Sequence, residues 1–161
     1  MFIRAREKIL SHMQLAEMCN KYREQGLCIV FTNGCFDILH PGHLRYLEEA
    51  KAQGDILIVG VNSDRSVAML KGPKRPILDE KARAELVAGL HCVDFVTIFD
   101  TPDPLPLIEL IIPDVLVKGA DWDEHAIVGR DVVLKHGGRV YRAPYLSGYS
   151  TTGIIEKIRG E

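Results

Sequence analysis

Cys28-Ile-Val-Phe-Thr-Asn-Gly-Cys-Phe-Asp-Ile-Leu-His-Pro-Gly-His43 carries an apolar run into a glycine turn and then into two histidines that frame a helix start. Residues 28–32 read as a buried strand. Backbone N–H groups around Asn33, Gly34 and Cys35 can converge on an anion just beyond it. Gly42 lets a helix beginning near His43 bring its positive end to the same point. His40 and His43, three residues apart, then face that charge. The segment therefore reads as a phosphate site at the end of a strand.

Working outward, short apolar runs alternate with helical periods. On the N-terminal side, Leu10, Met13, Leu15, Met18 and Tyr22 recur at helical spacing within residues 9–25. Ser11 is a candidate N-cap and Gly26 a stop. On the C-terminal side a helix is expected from His43 to Gln53, then a strand from Ile56 to Val61 whose unbroken apolar character suits burial on both faces. Helices are expected over 64–70, 79–90, 106–112, 125–136 and 151–159, with strands over 94–99, 115–118 and 139–143. Residues 71–76 read as a proline-stiffened basic loop. Strand and helix alternate throughout, which predicts one α/β domain over residues 1–161. It should be Rossmann-like and doubly wound, with a five-stranded parallel sheet, helices on both faces and residues 1–26 packed on it as a helical segment. In such a sheet the ligand cleft lies beyond the carboxyl ends of the strands.

Composition narrows the class. The 161 residues include 47% hydrophobic and 26% charged residues and carry a formal charge of −2. Such a chain can bury roughly 70% of its unfolded surface. Its 20 Lys and Arg are spread out and nearly balanced by 22 acids, so no nucleic-acid partner is expected. Four cysteines without C-x-x-C spacing point to reduced thiols and a cytoplasmic location. The charged N-terminus is no signal peptide, and no apolar run approaches a membrane span. Neither G-x-G-x-x-G nor G-x-x-x-x-G-K-[ST] occurs, so the phosphate site is of another kind.

The ordered motifs Asn33-Gly-Cys-Phe-Asp37, His40-Pro-Gly-His43, Val117-Lys-Gly-Ala-Asp-Trp122 and Ser150-Thr-Thr-Gly153 resemble those of the cytidylyltransferase-like nucleotidyltransferases. Val61-Asn-Ser-Asp64, Leu70-Lys-Gly-Pro-Lys-Arg-Pro76 and Leu116-Val-Lys-Gly119 are most similar to the branch that adenylates D-glycero-β-D-manno-heptose 1-phosphate, over residues 26–159. The resemblance implies transfer of AMP from ATP to the sugar phosphate with release of pyrophosphate, on the way to lipopolysaccharide core or related glycans. It also implies Mg2+ brought with ATP, a homodimer, and a separate sugar kinase upstream, since many relatives carry that kinase in the same chain. Residues 146–149, Leu-Ser-Gly-Tyr, replace the arginine that cytidylyl-transferring relatives carry before the last helix. That favours adenylyl transfer over the alternative, cytidylyl transfer to glycerol 3-phosphate or a similar alcohol phosphate.

The chemistry asks for positioning and neutralisation of two anions rather than covalent work. His40, His43, Lys71 and Lys118 are the expected catalytic donors. Nucleotide contacts are expected from Thr32, Asn33, Gly34, Cys35, Phe36, Gly42, Gly119, Asp121, Ser150, Thr151 and Thr152, besides His40, His43 and Lys118. Sugar-phosphate contacts are expected from Asp37, Asn62, Asp64, Lys71, Arg75 and Arg83. Lys118, at the end of a buried strand, is costly unless its amine reaches a cleft or a partner. Asp37 either orients a histidine, contacts the sugar phosphate through a metal, or caps the turn. Trp122 is either cleft wall or core, with core favoured, and Lys74 and Lys81 are expected in solvent. Ser150, Thr151 and Thr152 read first as a helix start, with Glu156 as a reciprocal cap, and secondly as an anion cradle. No protein-held metal is expected. A class I aminoacyl-tRNA synthetase fragment would share the H-x-G-H logic but lacks a Lys-Met-Ser-Lys-Ser loop and a basic face. A catalytically dead nucleotide sensor would be expected to have lost a histidine or the cationic loop.

Overall fold

The structure, a computed structural model, describes residues 1–144 and 146–161. Five parallel strands stand in the order β3-β2-β1-β4-β5, with β1 Ile29–Gly34, β2 Ile56–Asn62, β3 Phe95–Phe99, β4 Val115–Gly119 and β5 Arg139–Ala143. The chain leaves β1 in one direction for β2 and β3, then returns to lay β4 on its other side. The crevice between β1 and β4 is therefore the topological switch point.

Side-chain alternation along the strands builds two cores. Val30, Leu57, Val59, Val61, Val96, Val115 and Val117 face α2 (Pro41–Lys51) and α4 (Glu80–Ala88), burying Leu47, Ala50, Ala84, Val87 and Ala88. Ile29, Phe31, Ile58, Phe99 and Leu116 face the opposite way. There they meet Leu15 and Cys19 of α1 (His12–Glu24), Leu107, Ile108 and Ile111 of α5 (Leu105–Ile111), and Val133 of α6 (Arg130–Lys135). Helices on both faces explain why the central strands are apolar at successive positions rather than alternating. Each fully buried aliphatic or phenylalanine side chain contributes about 1.5–3 kcal/mol.

Acids fasten the strand starts, at the end of the sheet away from the crevice. Asp55 and Asp114 accept the N–H of Cys28 and Ile29 at 2.7 Å each, and Asp94 accepts that of Leu57 at 2.7 Å. Ser11 caps α1 through the N–H of Gln14. The segment before α1 runs along the outer edge of β3, where Leu10 N–H donates to Val96 O.

Several boundaries differ from expectation. β1 continues to Gly34 because Asn33 and Gly34 still pair with Gly60 and Val61. α2 begins at Pro41, with His40 as its N-cap. The helix expected over 125–136 is broken by Gly129, which sits at φ 85°. A short 3-10 turn, Glu124–Ala126, precedes the break and α6 follows it. A Cβ at Gly129 would lie 2.4 Å from Ile108 Cδ1, so close packing adds to the conformational reason for glycine. α3 spans Asp64–Lys71 and α7 spans Thr151–Arg159. Ser150 caps α7 through Gly153 N–H at 3.0 Å, and Glu156 lies too far along to close a capping box.

Candidate active site

A cleft of about 740 Å³ opens at the carboxyl ends of β1 and β4. Asn33, Gly34, Cys35 and Phe36 line it from the turn after β1, His40 and His43 from the start of α2, and Asn62 from the end of β2. Lys118, Gly119 and Asp121 stand across from them, Ser150, Thr151 and Thr152 close one end, and Lys71 and Arg75 reach in from the basic loop. Five segments distant in sequence thus meet at one rim.

The turn that carries the histidines is held in an unusual backbone conformation. Phe36 and Ile38 have φ of 49° and 51°, a left-handed conformation that costs a non-glycine residue roughly 1–2 kcal/mol. Packing offsets it: Phe36 is 5% exposed and meets the His43 ring edge-on at 5.5 Å between centroids. A Cβ at Gly34 would sit 2.9 Å from the Phe36 ring, so glycine is needed where ring and strand approach.

The two imidazoles stack at 3.8 Å with 22° between planes. His40 Nδ1 accepts the Gly42 N–H at 3.1 Å, and His43 Nδ1 lies 3.4 Å from the His40 N–H. With Nδ1 as acceptor in both rings, the neutral imidazole carries its proton on Nε2. Among the described residues no protein group takes either Nε2–H. Two like charges about 4 Å apart would repel by roughly 4 kcal/mol near a protein surface, so both rings cannot be cationic without an anion present. Burial, then the neighbouring His40, push the His43 pKa down to about 4, and burial also lowers that of His40. The pair is neutral at pH 7 and offers two donors. A Cβ on Gly42 would come within 2.9 Å of His40 Nδ1, so Gly42 serves the site from beneath the ring rather than on the wall.

Lys118 Nζ donates to Asn33 Oδ1 at 2.6 Å and lies 5.7 Å from the centre of the Trp122 ring. Burial lowers its pKa to about 8. An anion arriving beside this amine would restore its full charge. Thr151 Oγ1 donates to Asp37 O at 2.6 Å, and the Ser150 hydroxyl is used as the cap. What this helix end can offer an anion is therefore the Thr152 hydroxyl and first-turn N–H groups. The Cys35 thiol is pushed up by burial against the opposing pull of Lys71, Arg83 and Arg75, so it behaves as a small neutral packing group.

Four expected contacts have other duties. Arg83 is fully buried and absent from the cleft wall; its guanidinium donates to Leu78 O, Cys35 O, Asn62 O and Asp64 Oδ1 at 2.7–2.9 Å. It clamps the ends of β1 and β2 to the start of α4 instead of meeting phosphate. Asp64 is its partner and the first residue of α3. Thr32 is buried, with its hydroxyl bonded to Tyr46 Oη and Val117 O, so it joins β1 to β4. Asp37 borders the cleft, but Oδ2 accepts the Ile77 N–H at 2.7 Å and Arg75 Nε at 3.1 Å, and Oδ1 the Leu78 N–H at 3.0 Å. Burial alone would raise its pKa; these three donors more than offset it and hold the carboxyl below the ordinary value. Asp37 therefore anchors the cationic loop, neither capping a simple turn nor touching a histidine.

Sequence reasoning missed part of the wall. Trp122, favoured as core over wall from the sequence, is 50% exposed and lines the cleft. Tyr46, Tyr149, Pro102–Pro104, Ile127 and Val128 line it as well. Tyr149 lies parallel to the His40 ring, 6.2 Å between centroids and 18° between planes. The proline pair after β3 marked a strand-end loop, and its position was a usable signal.

Residues 31–157 match the cytidylyltransferase-like family. The chain belongs to that family of nucleotidyltransferases. It is 50% identical over 151 residues to the Bifunctional protein HldE of Trichlorobacter lovleyi, covering 94% of this chain and 31% of that one. To the protein of the same name from Geobacter metallireducens it is 53% identical over 144 residues, 89% of this chain and 29% of that one. The chain thus spans about three tenths of the length of these relatives. Among solved structures, the lipopolysaccharide core biosynthesis protein from Thermoplasma volcanium is 35% identical with a TM-score of 0.63, covering 78% of this chain and all of that one. Pantoate-beta-alanine ligase from Francisella tularensis shares the fold at 15% identity and a TM-score of 0.63, over 94% of this chain and 76% of that one. No helix among the described residues is long and apolar enough to cross a membrane.

Proposed function

We propose that the chain transfers AMP from ATP to D-glycero-β-D-manno-heptose 1-phosphate, giving ADP-heptose and pyrophosphate. The observation that carries this reading is the neutral, stacked His40–His43 pair with both Nε2–H free, in one cleft with Lys118 and the start of α7. The ordered motifs around Asn62 and Lys71 support a sugar phosphate as the acceptor. The 50% identity to Bifunctional protein HldE and the likeness to the lipopolysaccharide core biosynthesis protein of Thermoplasma support a place in the making of that glycan.

An oxygen of the acceptor phosphate attacks the α-phosphorus in line; the bond from that phosphorus to the bridging oxygen breaks, and pyrophosphate leaves with the electron pair. The acceptor monoester is already a dianion at neutral pH, its second pKa being about 6, so no general base is required. That agrees with a cleft whose most buried carboxylate, Asp37, is committed to the loop. The work left to the protein is electrostatic. His40 and His43 donate to oxygens whose charge grows as the leaving group departs, and Lys118 neutralises the triphosphate. Lys71 and Arg75 gather the acceptor's charge from the loop side.

Magnesium enters as part of the nucleotide substrate. Among the described residues no group of three or more His, Cys, Asp or Glu is gathered to hold a metal ion. An ion carried by triphosphate oxygens and water fits such a site, and its chemistry is to screen the phosphates. The reading is tested by incubating purified chain with Mg-ATP or Mg-CTP against heptose 1-phosphate and glycerol 3-phosphate, following pyrophosphate release and product mass. Fast release only with ATP and the heptose is expected. Turnover with CTP and glycerol 3-phosphate alone, or no turnover with any pair, overturns it.

A further inference from the structure

The cleft is chemically lopsided. One lobe holds the donors for phosphate: His40, His43, Lys118 and the start of α7. Elsewhere the lining is largely apolar at Trp122, Ile127, Val128 and Pro104, interrupted by Asp103 and Asp121. A nucleoside triphosphate has the same asymmetry, with a polyanion at one end and a flat π-surface at the other.

We propose that Trp122 is the stacking platform for the nucleobase of the triphosphate, making it a specificity-determining residue that favours the larger face of a purine. The inference rests on the nucleotidyl-transfer reading and deepens it. Its ring is on a fastened turn: Trp122 N–H donates to Gly119 O at 3.1 Å and Ala120 N–H to Ala143 O at 2.8 Å. An indole left half exposed on such a turn gains most by being covered by a ligand. Lys118 Nζ lies over one face of the ring, 5.7 Å from its centre, and is bonded to Asn33, so the base would take the face that the amine leaves open. A base on the ring would keep its phosphates within reach of that amine. Tyr149 is the other exposed aromatic among the described residues of the cleft, but it lies beside His40 in the phosphate lobe. Stacking also accounts for a base pocket with few side-chain hydrogen-bonding groups, because every base has a π-face.

Trp122 is the chain's single tryptophan, so intrinsic fluorescence reports on it alone. Titration with α,β-methylene-ATP should change that emission, and CTP should do so more weakly. Tripolyphosphate should compete with the ATP analogue while changing the emission much less, through Lys118 alone, and heptose 1-phosphate alone should leave it unchanged. Trp122→Ala should raise the KM for ATP roughly 10-fold, within a range of about 5 to 150, with tripolyphosphate affinity and the acceptor KM unmoved. Trp122→Phe, which keeps a ring, should recover most of the loss. A circular dichroism spectrum confirms that both variants fold. Emission that responds to heptose 1-phosphate and not to nucleotide would put the sugar on the ring and overturn the inference, as would equal responses to tripolyphosphate and the ATP analogue. The two readings fail separately. Nucleotide-dependent emission without pyrophosphate release sinks adenylyl transfer and leaves the platform standing; release with a silent tryptophan does the reverse.

Discussion

Replacing Arg83 by methionine separates a clamp from a substrate contact. The substitution keeps an apolar stem of similar reach and removes every donor. Leu78 O, Cys35 O and Asn62 O then lose their partner, and Asp64 loses its cation. Asp64 is 44% exposed and can turn to water, so its share is small. Asn62 lies in the interior at 4% exposure, and leaving its carbonyl unpaired costs about 1–3 kcal/mol, with roughly 1 kcal/mol for each of the two partly accessible carbonyls. The total, about 3–5 kcal/mol, is a large part of the 5–15 kcal/mol typical of a domain. At about 2–4 °C per kcal/mol for this size, the melting temperature should fall roughly 6–20 °C. Urea unfolding followed by circular dichroism and a thermal melt give the two readings. Arg83→Lys, which keeps a charge but not the planar fork, should fall between methionine and wild type. A methionine variant with the wild-type midpoint and a tenfold or greater rise in KM for ATP or the sugar phosphate would refute the reasoning and return Arg83 to the cleft.

Three further outcomes follow from the same geometry. His43→Ala should lower kcat by about 10²–10³-fold, the usual cost of one oriented donor to developing charge, in a protein that still folds but unfolds at a somewhat lower midpoint because the Phe36 contact is lost; an unchanged rate removes His43 from the chemistry. In the free protein the Lys118 pKa of about 8 should appear as the alkaline limb of kcat/KM, since the amine must be charged to meet the triphosphate; Lys118→Arg should move that limb upward, and a limb that stays near 8 assigns it elsewhere. Asp37→Asn should destabilise by about 1–3 kcal/mol, because its amide would face an N–H that now has an acceptor. With its folded pKa depressed, the stabilisation from Asp37 is complete above its unfolded value near 4 and lost as acid titrates it. Wild type and Asp37→Asn should therefore converge in stability at low pH, and a constant gap would deny the carboxylate that role.

The centre of the sheet was legible because a doubly covered strand must be apolar at successive positions, and β2 and β4 announce themselves that way. The ends were less so, for two different reasons. β1 runs two residues past its apolar stretch because pairing to Gly60 and Val61 is a backbone matter that side chains at Asn33 and Gly34 do not record. α2 starts at Pro41 because an imidazole does the capping, and histidine is outside the usual set of Ser, Thr, Asp and Asn. Gly129, by contrast, was a visible break inside the expected 125–136 helix.

The candidate site divides along the line between local and distant partners. His40, His43 and Gly42 could be placed because their geometry is set within four residues by one helix start. The roles of Arg83, Asp37 and Trp122 depend on chain far away in sequence. Arg83 looked like a free cation one turn into a helix, yet its acceptors include Cys35 O, 48 residues away, and Asn62 O, 21 residues away. Asp37 meets N–H groups 40 and 41 residues on. Composition cannot distinguish a guanidinium that meets phosphate from one that meets three carbonyls, because both satisfy the same donors. The resulting division of labour is physical: Arg83 and Asp37, buried and fully bonded, fix the turn and the loop, so that the less committed Lys71, Lys118 and histidine Nε2 atoms are left to meet an anion at little reorganisation cost.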